Sequence, residues 1–129
     1  IWLCGVTPTP LDKFGRSVSD IAKCALGAEK NISWEKADSV VRTINKLKKD
    51  GWHIIAIEQR GDSVRFNRFD YSSHEKTVLI LGNEVDGLPK KVLDIADDII
   101  EIPMFGGKES LNVSVAFGVV AYAWRMADK

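Results

Sequence analysis

The chain has 129 residues, which is enough for one domain with its own hydrophobic core. Apolar residues make up 45% and charged residues 28%, the balance of a soluble globular protein, and no apolar run is long enough to cross a bilayer. Lysine plus arginine equals aspartate plus glutamate at 18 each, so nucleic acid could be bound only through a local basic patch. The two cysteines, Cys4 and Cys24, exclude a disulfide framework and favour reduced thiols in the cytoplasm.

The first part of the chain predicts a short strand, a loop and a helix. Residues 1–4 are apolar and predict a buried strand. Because the chain begins inside this strand, with Ile1 rather than Met, we expect it to be a fragment. Prolines exclude regular structure from the loop at residues 7–16. A helix should follow, with Ser19 as its N-cap and Gly27 at its end.

The next elements are a small strand and a second helix. Ile32 and Trp34 predict the strand, and Asp38 is the predicted N-cap of the helix. Apolar residues at helical spacing follow between residues 40 and 47. Lysines crowd the last turn, where the helix dipole favours cations, and Gly51 ends the helix.

The second half of the chain predicts three buried parallel strands. Their apolar runs are residues 53–58, Thr77–Leu81 and residues 99–102. The segment 61–75 is polar and predicts irregular structure. Pro89 should open a short helix through Ala96, and a long helix is expected from about Leu111 to Ala127. Strands that alternate with helices predict an α/β domain around a parallel sheet.

Ligands of such sheets bind at the carboxyl ends of the strands. The candidate loops are therefore those after Glu58, Leu81 and Ile102. None of them carries a dinucleotide glycine fingerprint, a Walker A loop, a Gly-x-Ser-x-Gly elbow or a Cys/His metal spacing, so no metal site is predicted. The two histidines, His53 and His74, lack obvious partners and are predicted to be a strand-start residue and a loop residue.

Two of these loops carry long motifs. The loop after the second buried strand reads GNEVDGLP at residues 82–89, and the loop after the third reads IPMFGGKESLNVS at residues 102–114. In this order they closely resemble motifs 2 and 3 of the SpoU (TrmH-like) class of the SPOUT methyltransferase superfamily. The strand end AIE at residues 56–58, the run TPTP at 7–10 and ALGAE at 25–29 are also similar to that family. The resemblance covers nearly the whole chain.

The resemblance implies a fold and an activity. The fold is a parallel-sheet α/β knot, the SPOUT trefoil-knotted methyltransferase fold. The activity is transfer of methyl from S-adenosylmethionine to a ribose 2′-hydroxyl of tRNA or rRNA, with S-adenosylhomocysteine as product. Glycine at Gly82 and Gly87 would let the backbone approach the ligand closely. The implied cofactor-binding residues are Ala56, Ile57, Glu58, Leu81, Gly82, Asn83, Gly87, Ile102, Pro103, Met104, Leu111 and Ser114.

The resemblance also assigns polar residues to catalysis. Glu84 and Asn112 would orient the loops and the reacting groups, and Ser110 would hydrogen-bond near the substrate. Read alone, Glu84 is better interpreted as a solvated turn residue, and Ser110 and Asn112 fit ordinary helix N-caps. Lys13 to Arg16 continues the proline loop, and Arg16, with Lys23 and Lys30, is either an RNA phosphate contact or a solvated surface charge.

One departure from the family is serious. The family assigns a motif 1 arginine to the hydroxyl and its neighbouring phosphate, and we find no such segment in this chain. We therefore expect residues 1–129 to be a SpoU-type domain that lacks motif 1 at its N-terminus. If an arginine inside this chain does the work instead, Arg16 is the first candidate.

Two other functions stay open. The first is a knotted domain that holds the cofactor or RNA without chemistry. The second, an unrelated α/β nucleotide-binding protein, is weaker because a phosphate-binding glycine fingerprint is absent. Residues 115–124 are apolar on nearly every side of the last helix, which predicts a homodimer through that helix. The resemblance also implies dimers through this helix, and the lack of a bilayer-length apolar run predicts no membrane partner.

Overall fold

The computed structural model describes residues 1–127. Clustering of contacts divides the chain into two compact units, Ile1–Thr43 and Ile44–Lys129. Among the described residues, no helix combines the length and the apolar character that a membrane span needs.

The N-terminal unit contains a parallel pair of short strands. Strand β1 (Trp2–Cys4) pairs with β2 (Glu35–Ala37), Trp2 lying opposite Glu35. The predicted strand at Ile32 and Trp34 is wrong: the Ile32 N–H donates to the Ala28 carbonyl at 3.1 Å in a turn, and the pairing with β1 begins only at Glu35.

Helix α1 (Ser19–Ala25) begins one residue earlier than the capping pattern indicates. Val18 is the N-cap, without a side-chain hydrogen bond, so the prediction that Ser19 caps the helix is wrong. Leu26 and Gly27 both adopt positive φ, of 50° and 96°, and the Leu26 N–H closes the last turn on Ala22. The predicted helix end is confirmed, although a leucine rather than the glycine takes the first left-handed position.

Helix α2 (Val40–Lys49) is capped by Ser39, so the prediction of an Asp38 cap is wrong. The Ser39 hydroxyl accepts from the Arg42 N–H at 3.4 Å, and its carbonyl accepts from Thr43. Gly51 follows with a φ of 81°, which confirms the predicted end.

The larger unit is built on a four-stranded parallel sheet. Its strands are β3 (His53–Ile57), β4 (Val64–Arg65), β5 (Thr77–Leu81) and β6 (Asp98–Glu101), in the order β4–β6–β3–β5. Helix α3 (Lys90–Leu93) is shorter than predicted, and α4 (Val113–Ala127) begins two residues later. Strand β6 lies one residue earlier than its predicted range. Strand β4, in the segment expected to be irregular, was missed.

The core of this unit lies on both faces of β3. Ile54 and Ala56 are fully buried, and Ile55 and Ile57, on the alternate face, are also buried. The second pair belongs to a cluster with Ile100 of β6 and with residues of α4 and of the 66–71 segment: Phe66, Phe69, Tyr71, Val120, Ala123 and Trp124. Strand β3 is therefore packed on both of its faces.

Asp97, just before β6, connects three elements. Its carboxylate pairs with the Lys48 ammonium of α2 at 2.6 Å and accepts from the Ile54 N–H of β3 at 2.8 Å. Burial by itself raises the pKa of this carboxyl. Hydrogen bonds from Lys48 and Ile54, with the charges of Lys48 and His53, outweigh that effect, so the pKa lies below its usual value.

We expect Asp97→Asn to lower the free energy of unfolding at pH 7 by about 1–3 kcal/mol, since Lys48 loses its counter-charge. Because the folded pKa is lowered, the stabilisation is present above the unfolded value, about 3.9, and is lost as the pH falls through the folded value. Urea unfolding at pH 7 and pH 3 is the measurement. An equal difference between wild type and variant at both pH values would contradict the assignment.

Candidate functional site

Three loops leave the carboxyl edge of the sheet side by side. In the register of the sheet, Ile57 at the end of β3 lies opposite Leu81 of β5 and opposite Ile100 of β6. The loops that follow these strands therefore meet, and they enclose a cleft of about 470 Å³. This volume is within the range of small-ligand sites.

Glu58 fastens the loop after β5 to the end of β3. Its Oε2 accepts from the Leu88 N–H at 2.9 Å, and its Oε1 accepts from its neighbour Gln59 at 3.0 Å. Glu58 directly follows β3, so the carboxylate is held by the best-buried strand of the sheet. The position of residues 82–88 is thus set from the centre of the fold.

The two glycines of this loop are required by contacts within the protein. A Cβ at Gly82 would overlap the backbone of Gly87 and Leu88. A Cβ at Gly87, whose φ is 63°, would overlap the Glu58 carboxylate. Within the protein, the close approaches are to the loop's own backbone at Gly82 and to the Glu58 carboxylate at Gly87. A close approach to a ligand stays a prediction.

Asn83 closes the same loop into a compact turn. Its side-chain oxygen accepts from the N–H groups of Val85 and Asp86, at 2.9 and 2.8 Å, and its carbonyl accepts from the Gly87 N–H. Glu84 is exposed at the tip, and its carboxylate accepts no hydrogen bond from the described residues. Glu84 is therefore free to meet a ligand.

The loop after β6 leaves its main-chain donors unused. Within the described part of the chain, no N–H from Met104 to Leu111 donates to a protein acceptor. A side-chain contact positions this segment: the Gln59 amide donates to the Glu109 carbonyl at 2.7 Å. A row of oriented but unpaired N–H groups can bind the acceptor atoms of a ligand.

Asn112 ends this loop as the N-cap of α4. Its Oδ1 accepts from the N–H and the hydroxyl of Ser114, at 2.9 and 2.6 Å, and its carbonyl accepts from Ala116. Capping is therefore shown for Asn112. Ser110 does not cap the helix; it is exposed and lines the cleft.

Most residues of the predicted site meet in the cleft. Those that line it are Ile57, Glu58, Leu81, Gly82, Asn83, Glu84, Gly87, Ile102, Met104, Ser110 and Leu111. Ala56, Pro103 and Ser114 do not: Ala56 is fully buried inside β3, and Ser114 lies inside the first turn of α4. Asn112 lines an adjoining depression with residues 107–111.

Sequence reasoning missed several lining residues, chiefly Gln59, Asp86, Leu93 and Glu109. Gln59 and Glu109 lie in the predicted loops. They could have been found as polar residues at the carboxyl edge of the sheet, where ligands bind. Leu93 comes from α3, and nothing in the sequence indicates that this helix reaches the cleft.

The cleft is acidic. Glu58, Glu84, Asp86 and Glu109 line it, and no Arg, Lys or His is among the described residues that do so. Apolar side chains of Leu81, Ile102, Met104 and Leu111 cover the remaining wall. Such a surface favours a ligand with an apolar ring and a positive charge.

The two histidines lie away from the cleft, toward the amino edge of the sheet, and they do have partners. Their rings stack with centroids 3.5 Å apart, and His53 Nε2 lies 2.6 Å from Asp98 Oδ2. The expectation that they lack partners is therefore wrong, because the loop before β5 returns His74 to the start of β3.

The sequence profile of the SpoU rRNA Methylase family matches residues 9–122. The chain belongs to this family. It is 41% identical over 96 residues to the tRNA (guanosine(18)-2'-O)-methyltransferase of Aquifex aeolicus, a match that covers 74% of this chain and 44% of that relative. It is 32% identical over 111 residues to the 23S rRNA (guanosine-2'-O-)-methyltransferase RlmB of Neisseria meningitidis, covering 86% and 43%. The chain thus spans less than half the length of these curated relatives.

Solved structures of SpoU enzymes show the same fold. The A. aeolicus TrmH/SpoU tRNA modifying enzyme matches with a TM-score of 0.74 and 36% identity, over 89% of this chain and 56% of that one. The AdoMet-bound rRNA methyltransferase from Sinorhizobium meliloti matches with a TM-score of 0.82 and 26% identity, over 98% and 45%. The predicted parallel-sheet α/β class is confirmed.

Gly82→Ala tests the construction of the first loop. We expect it to lower the free energy of unfolding by about 1–3 kcal/mol, because the new methyl group must displace the backbone at Gly87. Gly106→Ala is the matched control, since a Cβ there meets nothing within 4 Å. Urea unfolding, with amide exchange at Leu88, is the measurement. Equal stability of the two variants would show that the loop adjusts without cost.

Proposed function

We propose that this chain binds S-adenosylmethionine in the cleft and transfers its methyl group to a ribose 2′-hydroxyl of tRNA or rRNA. The observation that carries the proposal is the junction of the three loops, with unpaired N–H groups from Met104 to Leu111, in a member of the SpoU family. Relatives named as tRNA and rRNA guanosine 2'-O-methyltransferases support the RNA substrate. The trefoil knot stays a prediction.

The chemistry of the cleft fits this cofactor. Leu81, Ile102 and Met104 offer an apolar wall to an adenine ring, and the unpaired N–H groups offer donors to its acceptors. The lining carboxylates favour a sulfonium and an ammonium group. When bound, S-adenosylmethionine supplies a methyl carbon to which the ribose oxygen bonds, while the electron pair of the broken carbon–sulfur bond stays on sulfur.

The residues of the chain would position the reacting hydroxyl, and its proton would pass to a carboxylate that lines the cleft. Glu84, exposed on the first loop, would orient the reacting groups, and Ser110 would hydrogen-bond near the ribose. Asn112 would act through the loop that it holds at the start of α4. In-line placement of the hydroxyl against the methyl group would then provide much of the rate.

One observation favours the second candidate, a domain that binds without chemistry. No cationic side chain lines the cleft among the described residues. Arg60, in the loop after β3, is held by Asp62 and lies 3.7 Å from Asp94. Arg16 is paired with Asp12. No arginine of the cleft is thus available to polarise the hydroxyl.

Calorimetry and a tritium-transfer assay on bulk tRNA and rRNA separate the two candidates. We expect the chain to bind S-adenosylmethionine, and Gly82→Ala to weaken binding about 10-fold or more by shifting the loop, a loss of ~1.4 kcal/mol. Gly106→Ala should bind as wild type does. If no binding heat is detected up to millimolar S-adenosylmethionine, with the fold intact, the proposal is refuted. Binding without transfer would favour the second candidate.

The proposal includes a homodimer through α4. Val120, Ala123 and Trp124 pack in the core, but the opposite side of the helix keeps Val115, Tyr122 and Met126 at least half exposed. An apolar surface of this kind on a small domain favours a second copy. A cytoplasmic location also belongs to the proposal, because both cysteines are free thiols and the proposed substrates are RNA.

We expect sedimentation velocity at micromolar concentration to show a dimer. Val115→Glu should give a monomer, because the charge would be desolvated at the contact. Ile32→Glu, a similarly exposed position in the N-terminal unit, should leave the dimer intact. A wild-type monomer at these concentrations would refute dimerisation of this chain.

A further inference from the structure

A phenylalanine is exposed to solvent at the tip of a loop in the N-terminal unit. Phe14 is 69% exposed, and it lies in the loop between β1 and α1. Leaving a large aromatic side chain in water costs the fold the free energy of its burial. Val6 and Leu26 of the same unit are also exposed, but Phe14 adds an aromatic face that is available to a ligand.

The loop that carries Phe14 is rigid. One oxygen of the Asp12 carboxylate accepts from the N–H groups of Phe14 and Arg16, at 2.8 and 2.9 Å, and the other pairs with the Arg16 guanidinium. These hydrogen bonds, the one from the Arg16 N–H first, lower the pKa of Asp12. A bridge between Leu11 and Ser17 closes the base of the loop. The ring is therefore held in place before any partner arrives.

Two cations lie over the exposed ring, in cation–π contact with it. Lys13 Nζ lies 5.0 Å from its centroid, and the Arg16 guanidinium carbon lies 5.1 Å away. The charge of Arg16 is balanced by Asp12, whereas Lys13 has no ion-pair partner among the described residues. The tip thus presents a flat π surface beside a net positive charge, the combination found where single-stranded nucleic acid is bound.

We propose that Phe14 stacks on an unpaired base of the RNA substrate, while Lys13 and Arg16 contact the phosphates beside it. The inference rests on the proposed function, since it takes RNA as the substrate. An unpaired base is required, because bases inside an A-form helix are already stacked and present only their edges. The rigid loop lowers the ordering cost of the contact.

Fluorescence anisotropy with a short labelled single-stranded RNA tests the stacking. Phe14→Ala should weaken binding by roughly 5- to 100-fold, the range seen when a stacking ring is removed. Phe14→Leu keeps apolar area but no ring and should weaken binding similarly, whereas Phe14→Trp should keep it. Unfolding midpoints equal to wild type establish that the exposed substitutions leave the fold intact.

The flanking charge is tested by salt dependence. Lys13→Gln should reduce the slope of log affinity against log salt by about 0.7, the value for one phosphate contact on a single strand. Lys49→Gln is the matched control: this lysine is exposed in the last turn of α2 and, like Lys13, has no ion-pair partner among the described residues. It should leave the slope unchanged.

The outcomes separate this inference from the function on which it rests. If wild type neither binds RNA nor transfers methyl, the proposed function fails and the stacking contact fails with it. If wild type binds RNA and Phe14→Ala binds equally well, the stacking contact alone is overturned. It is also overturned if Phe14→Ala abolishes self-association of the chain while RNA affinity stays unchanged.

Discussion

The hydrogen bond from the Leu88 N–H to the Glu58 carboxylate is the contact on which the cleft depends. It joins the end of the central strand to a loop that the chain reaches thirty residues later. The same carboxylate leaves no room for a side chain at Gly87, and Gly87 in turn leaves none at Gly82. The position of the first loop therefore follows from the burial of β3, and the shape of the cleft follows from that loop.

The charges of the cleft suit the proposed cofactor but not the proposed RNA substrate. A cationic methyl donor matches the four carboxylates that line the cleft, but those carboxylates repel RNA phosphate. A neutral chain cannot attract RNA through its overall field. Affinity for RNA must then come from local groups elsewhere, of which the flanked ring of Phe14 in the N-terminal unit is one.

The sequence predicts those elements that are determined by the residues within them. A continuous apolar run identifies β3 because that strand is buried on both faces. The two glycine loops were located correctly for a similar reason, since they follow such strands. By contrast, Phe66, Phe69 and Tyr71 join the core without any regular period, so their segment read as polar loop. Ile32 and Trp34 were misread because pairing with β1, and not apolar character, decides where β2 begins.

The contacts between the loops of the cleft could not be predicted from the sequence pattern. Gln59 reaches the Glu109 carbonyl across fifty residues of chain, and no residue pattern encodes that distance. The loop after β6 offers a ligand its main chain from Met104 to Leu111 rather than particular side chains. Every residue except proline carries the same N–H group. Substitutions in this segment can therefore accumulate during divergence without loss of those donors. Relatives of low sequence identity can then keep one cofactor while they change the RNA that they modify.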